Sequence, residues 1–160
     1  MRNGLLAVPA PRPAGVERFH GANYDREPGS AADARQFVAG ALDAWNLGRF
    51  SDDAELIVTE LVSNAIAHAE GDGMRVTIDL LAPGAVRIGV IDRSSEQPHL
   101  RPATPDQEGG RGMYLVAALS THWGVDVLPG GKRVWTSPAH ARRSARTVTT
   151  SPAPRGRPGR

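Results

Sequence analysis

The feature that most constrains the fold is a change in hydrophobic period about halfway along the chain. Before Gly71, two segments carry apolar residues every three or four positions, which is the period of an amphipathic helix. After Gly71, apolar and polar residues alternate one by one, as they do in a half-buried strand. Helices followed by strands favour an α+β fold, and no crossover pattern indicates a parallel sheet.

The helical part divides into two segments. The first is predicted across about 30–47, with Ser30 placed to cap it. The second begins at Ser51, where two acids follow and favour the positive end of the helix dipole, and it closes at Gly71. Residues 16–24 alternate weakly and predict an edge strand ahead of both helices.

The second half of the chain predicts strands around a third helix. Residues 74–80 and 86–92 alternate, and the Pro-Gly turn between them predicts a hairpin. A polar loop at 93–109 precedes GGRGMYLVAALSTHW, which begins the third helix, and WGVDVL and KRVWT form a closing hairpin. We therefore predict a two-layer α+β sandwich: a mixed, mainly antiparallel sheet covered on one face by about three helices.

Composition and charge divide the chain into three parts. With 160 residues and 40% hydrophobic content, it suits one domain with one core. It lacks cysteine and any apolar run of about 18 residues, so we expect a cytoplasmic protein with no membrane span. The net charge is +2, but residues 137–160 hold six Arg and no acid, which leaves −4 for the rest. We predict a flexible segment at 1–15, a domain at 16–136 and a basic tail at 137–160, either disordered or in contact with nucleic acid or an acidic partner.

The stretch ELVSNAIAHA places an acid and an amide on one helix face. Glu60 and Asn64 are four residues apart, so their side chains meet on the helix surface. An amide oxygen suits Mg²⁺, which takes few protein ligands beside substrate phosphates. A nearby carboxylate can orient or deprotonate a nucleophilic oxygen. The alternative is a polar edge on an ordinary amphipathic helix.

Two further features bear on a binding site. Alternation puts Asp92 on the same face as Val86, Ile88 and Val90, so its carboxylate points towards the helices and needs a partner. The exocyclic amine of a purine would serve, as would a group within the protein. The Gly109–Gly112 stretch (GGRG) lets backbone N–H groups approach an anion at a helix start, or it is simply a flexible helix entry.

The order of these features resembles the GHKL (Bergerat-fold) ATP-binding family. Within it, the chain is most similar to the small bacterial anti-sigma-factor serine/threonine kinases, the group that includes SpoIIAB and RsbW. ELVSNAIAHA resembles the N box of the family, Asp92 opens its adenine-recognition box, GGRGMYLV resembles its second glycine box and GGKRVW its closing strand. The resemblance covers about residues 20–136.

The resemblance implies roles for single residues. Asn64 would bind Mg²⁺ and through it the phosphates of ATP, and Glu60 would be the general base for a substrate serine. Asp92 would accept a hydrogen bond from the adenine amine, with residues 93–109 as the lid. The phosphate contacts would come from Gly110, Arg111 and Gly112.

The chain departs from the family pattern at two places. Many relatives carry D-x-G-x-G, whereas the stretch here is Asp92-Arg93-Ser94-Ser95 and the two glycines are missing. Arg133 stands where many relatives have a Thr that binds near the adenine. Both departures lie at the positions that would contact the base.

The resemblance implies an ATP-binding anti-sigma factor. Such a protein sequesters a sigma factor and phosphorylates a serine on an anti-anti-sigma antagonist, commonly as a homodimer, with no membrane or direct nucleic-acid contact. The alternative is a catalytically silent regulator of the same fold that uses ATP only to set its binding shape. A basic-tailed nucleic-acid-binding domain is a third hypothesis, and the −4 charge of residues 1–136 counts against it. From a length of 160 residues we do not expect the further domains of a histidine kinase, gyrase or Hsp90.

Overall fold

The computed structural model describes residues 18–94 and 111–139. The predicted flexible segment 1–15, nearly all of the predicted lid 93–109 and all but three residues of the predicted tail lie outside these ranges. The helices and strands, in chain order, are β1 (Arg18–Asp25), α1 (Ser30–Ala44), α2 (Ser51–His68), β2 (Gly73–Ala82), β3 (Ala85–Asp92), α3 (Arg111–Leu119), β4 (Ser120–Leu128) and β5 (Gly131–Pro138). None of the three helices described is long and apolar enough to cross a membrane.

The five strands form one sheet in the order β1-β2-β3-β5-β4. All four neighbouring pairs in this described sheet are antiparallel. β3 and β5 are hydrogen-bonded neighbours although α3 and β4 lie between them in sequence. α2 packs over β3 and β5, while α1 and α3 pack against α2. The predicted α+β sandwich is therefore confirmed.

The core lies between the helices and one face of the sheet. The side chains that the two periods placed inward are buried, and each of the larger ones contributes about 1.5–3 kcal/mol to the free energy of unfolding. The fully buried examples include Val38, Leu42, Ile57, Val58, Val62, Met74, Val76, Ile78 and Ile88.

The helix boundaries differ in detail from those predicted. Ser30 is the first residue of α1 and not its cap, and its hydroxyl donates to the Asp25 carbonyl oxygen at 2.7 Å, which ties α1 to the end of β1. α1 ends at Ala44, three residues early, because Asn46 adopts a left-handed φ of 56° that a helix cannot continue through. The start of α2 at Ser51 is confirmed. β4 begins at Ser120, directly after α3, so it is longer than the predicted strand.

Candidate functional site

The predicted site lies at one end of the sheet. Asp25 at the end of β1 pairs with Gly73 at the start of β2. Asp92 at the end of β3 pairs with Lys132 at the start of β5, and the last residues of β3 pair with the first of β2. Because all these strands are antiparallel, their four chain ends lie together. Asp92 is therefore in the middle of this end of the sheet.

Arg26 holds the last turn of α2 over the same end of the sheet. Its Nε donates to the Ala65 carbonyl oxygen at 3.2 Å, its Nη2 to that of Ile66 at 2.5 Å and its Nη1 to that of Gly71 at 2.7 Å. The last four carbonyl groups of a helix lack helical partners, and a cation there is favoured by the dipole. Asn64 directly precedes the bonded carbonyl groups, so α2 carries it to the end of the sheet that holds Asp92.

The Glu60 carboxylate lies against the first turn of α3. A Cβ built on Gly112 would collide with the Glu60 Oε2 atom and lie 3.4 Å from the carboxyl carbon. A side chain at position 112 would therefore displace the carboxylate, and glycine allows the close approach. The N-terminus of a helix also favours a negative charge. Two of the predicted site residues, 52 positions apart in sequence, are thus in direct contact.

Asn64 lies one helical turn after Glu60, and both side chains are half-buried. The apolar neighbours Leu61, Val62 and Ala65 are at most 2% exposed and face the core. Glu60 and Asn64 therefore border the buried face of α2, as the i, i+4 spacing predicted. Within residues 18–94 and 111–139, no three His, Asp or Glu side chains are grouped to hold a metal ion. The Mg²⁺ contact of Asn64 stays a prediction.

Asp92 is buried, as its strand alternation predicted, and it is 5% exposed. The Lys132 Nζ lies 3.2 Å from its Oδ1, and the backbone N–H of Ser94 donates to the same oxygen at 2.8 Å. The sequence left two partners open for Asp92, a purine amine or a group within the protein. The structure shows a partner within the protein, Lys132. The acceptance of an adenine amine by Asp92 stays a prediction.

Lys132 was not recognised as a site residue from the sequence. The signal that would have found it is the alternation of Lys132, Val134 and Thr136, all of which are buried on β5. A lysine on the inward face of a strand requires an anion. Which anion it meets depends on the β3–β5 pairing, which places Asp92 opposite it.

Gly131 makes this junction between β3 and β5 possible. A Cβ there would collide with the Asp92 carbonyl oxygen and lie 3.1 Å from the Cα of Arg93. These atoms belong to the backbone, so no side-chain movement could relieve the overlap. Glycine thereby lets the two strands approach closely beside the ion pair.

The remaining residues of the predicted phosphate site are only partly described. Gly110 and the lid at 95–109 lie outside the described residues. Arg111 is the first residue of α3, and the placement of its side chain is likewise outside the described part. Gly112 is therefore the member of the Gly-Arg-Gly stretch that the structure places, and it lies at Glu60.

A separate cleft of about 500 Å³ opens near the other end of β3 and β5. Arg87 and Trp135 line it, and the guanidinium carbon lies 4.2 Å from the centre of the indole ring. His122 and Pro138 also border it. Of the predicted site residues that the structure describes, none lines this cleft, so it is distinct from the site at Glu60, Asn64 and Asp92.

Comparison with known proteins agrees with this fold. The histidine kinase-like ATPase domain matches residues 25–137. An uncharacterised protein of Streptomyces coelicolor is 36% identical over 107 residues, which are 64% of this chain and 100% of that protein. The crystal structure of the RsbU and RsbW domains of Rv1364c from Mycobacterium tuberculosis superimposes with a TM-score of 0.54 at 23% identity, over 76% of this chain and 31% of that one. The last match concerns the fold alone. An ATPase domain of the GHKL type implies ATP binding, and this chain belongs to the histidine kinase-like ATPase domain family.

Proposed function

We propose that this chain is an ATP-binding anti-sigma factor that sequesters a sigma factor and phosphorylates a serine of an anti-anti-sigma antagonist. The observation that carries the proposal is the contact between the Glu60 carboxylate and the first turn of α3. That contact lies one helical turn from Asn64 on α2, which packs over β3, the strand that ends in Asp92. A carboxylate, an amide and a helix N-terminus are the groups that phosphoryl transfer requires for positioning and charge neutralisation.

The residues present fit Mg-ATP. Asn64 would supply an amide oxygen to Mg²⁺, a hard ion that prefers oxygen ligands. The backbone at Gly112, with Gly110 and Arg111, would hold the phosphates at the positive end of α3. Asp92 would receive the amine of the base. When bound, Mg-ATP supplies the phosphoryl group that is transferred.

Glu60 is the residue proposed to act on the protein substrate. A carboxylate that is half-buried and held against a backbone has few conformations, which suits a group that must meet an incoming hydroxyl. Its role would be to accept the proton of the substrate serine and to orient the hydroxyl oxygen. A carboxamide at the same position would keep the shape and lose the ability to accept that proton.

The same contact favours a second candidate function. An anionic side chain at a helix N-terminus stabilises the helix by itself, by about 0.3–1 kcal/mol. In that case Glu60 holds α3 in place, ATP sets the shape of the protein, and no phosphoryl group is transferred. The chain would then be a catalytically silent, ATP-dependent regulator.

Asn64→Ala tests the nucleotide site. We expect this variant to lose measurable Mg-ATP binding in isothermal titration calorimetry, because the metal ligand is removed. Ser63→Ala is the matched control, since Ser63 is the preceding residue of α2 and is exposed to solvent. Equal affinity in the wild type and Asn64→Ala would refute the assignment of Asn64.

Glu60→Gln separates the two functions. We expect it to bind Mg-ATP within about threefold of the wild type and to lower phosphorylation by at least about 100-fold, the scale of a general base. The measurement is phosphoserine mass spectrometry on proteins captured by the chain in the presence of ATP. A wild type that binds ATP and yields no more phosphoserine than Glu60→Gln would favour the silent regulator.

The partners and assembly belong to the same proposal. A sigma factor and an antagonist protein would compete for the chain in the cytoplasm, and the chain would act as a homodimer. Light scattering after size exclusion, with and without Mg-ATP, tests the dimer directly. A mass of one chain under both conditions would contradict it.

A further inference from the structure

The Asp92–Lys132 pair is a buried ion pair inside the predicted base site. The Asp92 and Lys132 side chains are 4% and 8% exposed, and the ammonium nitrogen is 3.2 Å from Oδ1. Both residues alternate with core residues of their strands, so both point towards the helices. Moving two charges out of water is costly, and the best-attested use of a buried pair is to specify one structure or to act as a switch.

The pair presents an acceptor beside a donor. A carboxylate only accepts hydrogen bonds and an ammonium group only donates them. The backbone N–H of Ser94 and the Lys132 ammonium both meet Oδ1, so a ligand amine would be received at Oδ2. The ammonium group has three N–H donors, and its nitrogen lies within ion-pair distance of Asp92. A ligand that carries a donor next to an acceptor therefore complements this pair.

We propose that Lys132 reads the N1 atom of adenine while Asp92 receives the exocyclic amine. This inference rests on the proposed function, because it assigns the base to the site at Asp92. The Watson–Crick edge of adenine has the N6 amine, a donor, next to N1, an acceptor. The donor N6 amine would therefore meet the Asp92 carboxylate, and the acceptor N1 would meet the Lys132 ammonium group.

The surrounding contacts keep the order of the two groups. The Ser94 N–H holds the Asp92 carboxylate, and the close approach at Gly131 holds the β5 backbone against β3. A nucleotide whose phosphates are bound near Gly112 cannot flip its base to present the opposite edge to the pair. Hypoxanthine carries an acceptor where adenine has its amine and an N–H at N1, so it meets each group with the wrong polarity. The pair therefore selects adenine over 6-oxopurines.

Titration of the full chain with ATP analogues tests the assignment. The probes are Mg-ATP, Mg-1-deaza-ATP, in which a C–H replaces N1, and Mg-7-deaza-ATP, which alters the opposite edge of the base. A hydrogen bond to a charged group is worth 10- to 100-fold in affinity, by order of magnitude. We expect the wild type to bind 1-deaza-ATP about 10- to 100-fold more weakly than ATP, with 7-deaza-ATP within about threefold.

Lys132→Met then identifies the donor. In this variant we expect ATP and 1-deaza-ATP to bind with equal affinity, because no ammonium group is left to contact N1. A purely structural Lys132 would weaken both ligands alike and leave their ratio unchanged. Circular dichroism checks that the variant is folded, and Lys132→Arg, which keeps a cationic donor, should retain a preference for ATP.

The outcomes separate this inference from the function on which it rests. Equal binding of ATP and 1-deaza-ATP by the wild type overturns the role of Lys132 and leaves ATP binding intact. A preference that persists in Lys132→Met assigns N1 to another group and also overturns it. A wild type that binds none of the nucleotides overturns the proposed function itself. The wild-type comparison needs no variant, so it decides even if Lys132→Met fails to fold.

Discussion

Removal of the Lys132 charge should destabilise the fold much more than removal of the neighbouring charge on the same strand. In Lys132→Met the Asp92 carboxylate keeps its Ser94 N–H contact but loses its cation in a site that is 5% exposed. Arg133→Met is the matched control. The Arg133 guanidinium pairs with Asp126, whose side chain is 42% exposed, so that carboxylate remains hydrated without its partner.

The burial of the two carboxylates sets the expected magnitudes. Breaking a buried ion pair by removing one partner costs 3–5 kcal/mol, as an order of magnitude. The hydrogen bond from Ser94 remains, so we expect about 3 kcal/mol for Lys132→Met. The Arg133 side chain is only 9% exposed, but its partner Asp126 stays hydrated, so the loss of this ion pair should cost roughly 0–1 kcal/mol. With some lost packing of the arginine stem, we expect about 1 kcal/mol in total for Arg133→Met. The total free energy of unfolding of a domain is about 5–15 kcal/mol, so the loss expected for Lys132→Met is a large part of it.

Urea unfolding followed by circular dichroism measures both losses. With a slope of about 2 kcal/mol per molar urea, Lys132→Met should lower the midpoint by about 1.5 M, and Arg133→Met by about 0.5 M. The double variant Asp92→Asn with Lys132→Met should regain at least about half of the loss, because no unpaired charge stays buried.

Three results would refute this reasoning. Equal losses in Lys132→Met and Arg133→Met would mean that burial does not distinguish the two pairs. A loss below about 1 kcal/mol in Lys132→Met would mean that water reaches Asp92 in the folded protein. A double variant no more stable than Lys132→Met would mean that the cost arises from lost packing of the lysine side chain.

Two further predictions concern the backbone that positions the site. Arg26→Ala removes two hydrogen bonds to carbonyl groups in the last turn of α2 and one to Gly71 beyond it. It should cost about 2 kcal/mol, with faster amide hydrogen exchange in the last turn of α2. Unchanged exchange there would contradict the anchoring role of Arg26. Gly131→Ala should cost about 3 kcal/mol, because its Cβ meets backbone atoms, whereas Gly29→Ala should be nearly neutral, since a Cβ there meets nothing within 4 Å. Equal thermal midpoints for the two alanine variants would contradict the close approach of β3 and β5.

Local periodicity was sufficient to predict the layers of the fold. The alternation of Val86, Ile88 and Val90 placed Asp92 on the inward face, and the structure confirms its burial. Helical spacing likewise placed Glu60 and Asn64 together at the edge of the buried face of α2. Such patterns work because the period of each element is set by its own backbone geometry, which does not depend on distant parts of the chain.

The capping of the helices was less predictable than their starts, for a specific reason. Ser30 and Ser51 have the side chains of helix caps, yet each is the first residue of its helix. The Ser30 hydroxyl donates to the carbonyl oxygen of Asp25 at the end of β1. This acceptor competes with a capping role because β1 ends a few residues before α1 begins. Hydroxyl groups bond to whichever backbone group is nearest, and that is decided by the packing of the neighbouring element.

The sequence by itself determined the α+β class, the inward position of Asp92 and the adjacency of Glu60 and Asn64, because each depends on a local period. Only the tertiary structure decided that Lys132 meets Asp92, that Glu60 contacts Gly112 and that Arg26 holds the end of α2. These contacts join residues 39 or more positions apart. They exist because β5 inserts beside β3 and α3 packs on α2, and no local pattern in the chain encodes that choice of neighbours.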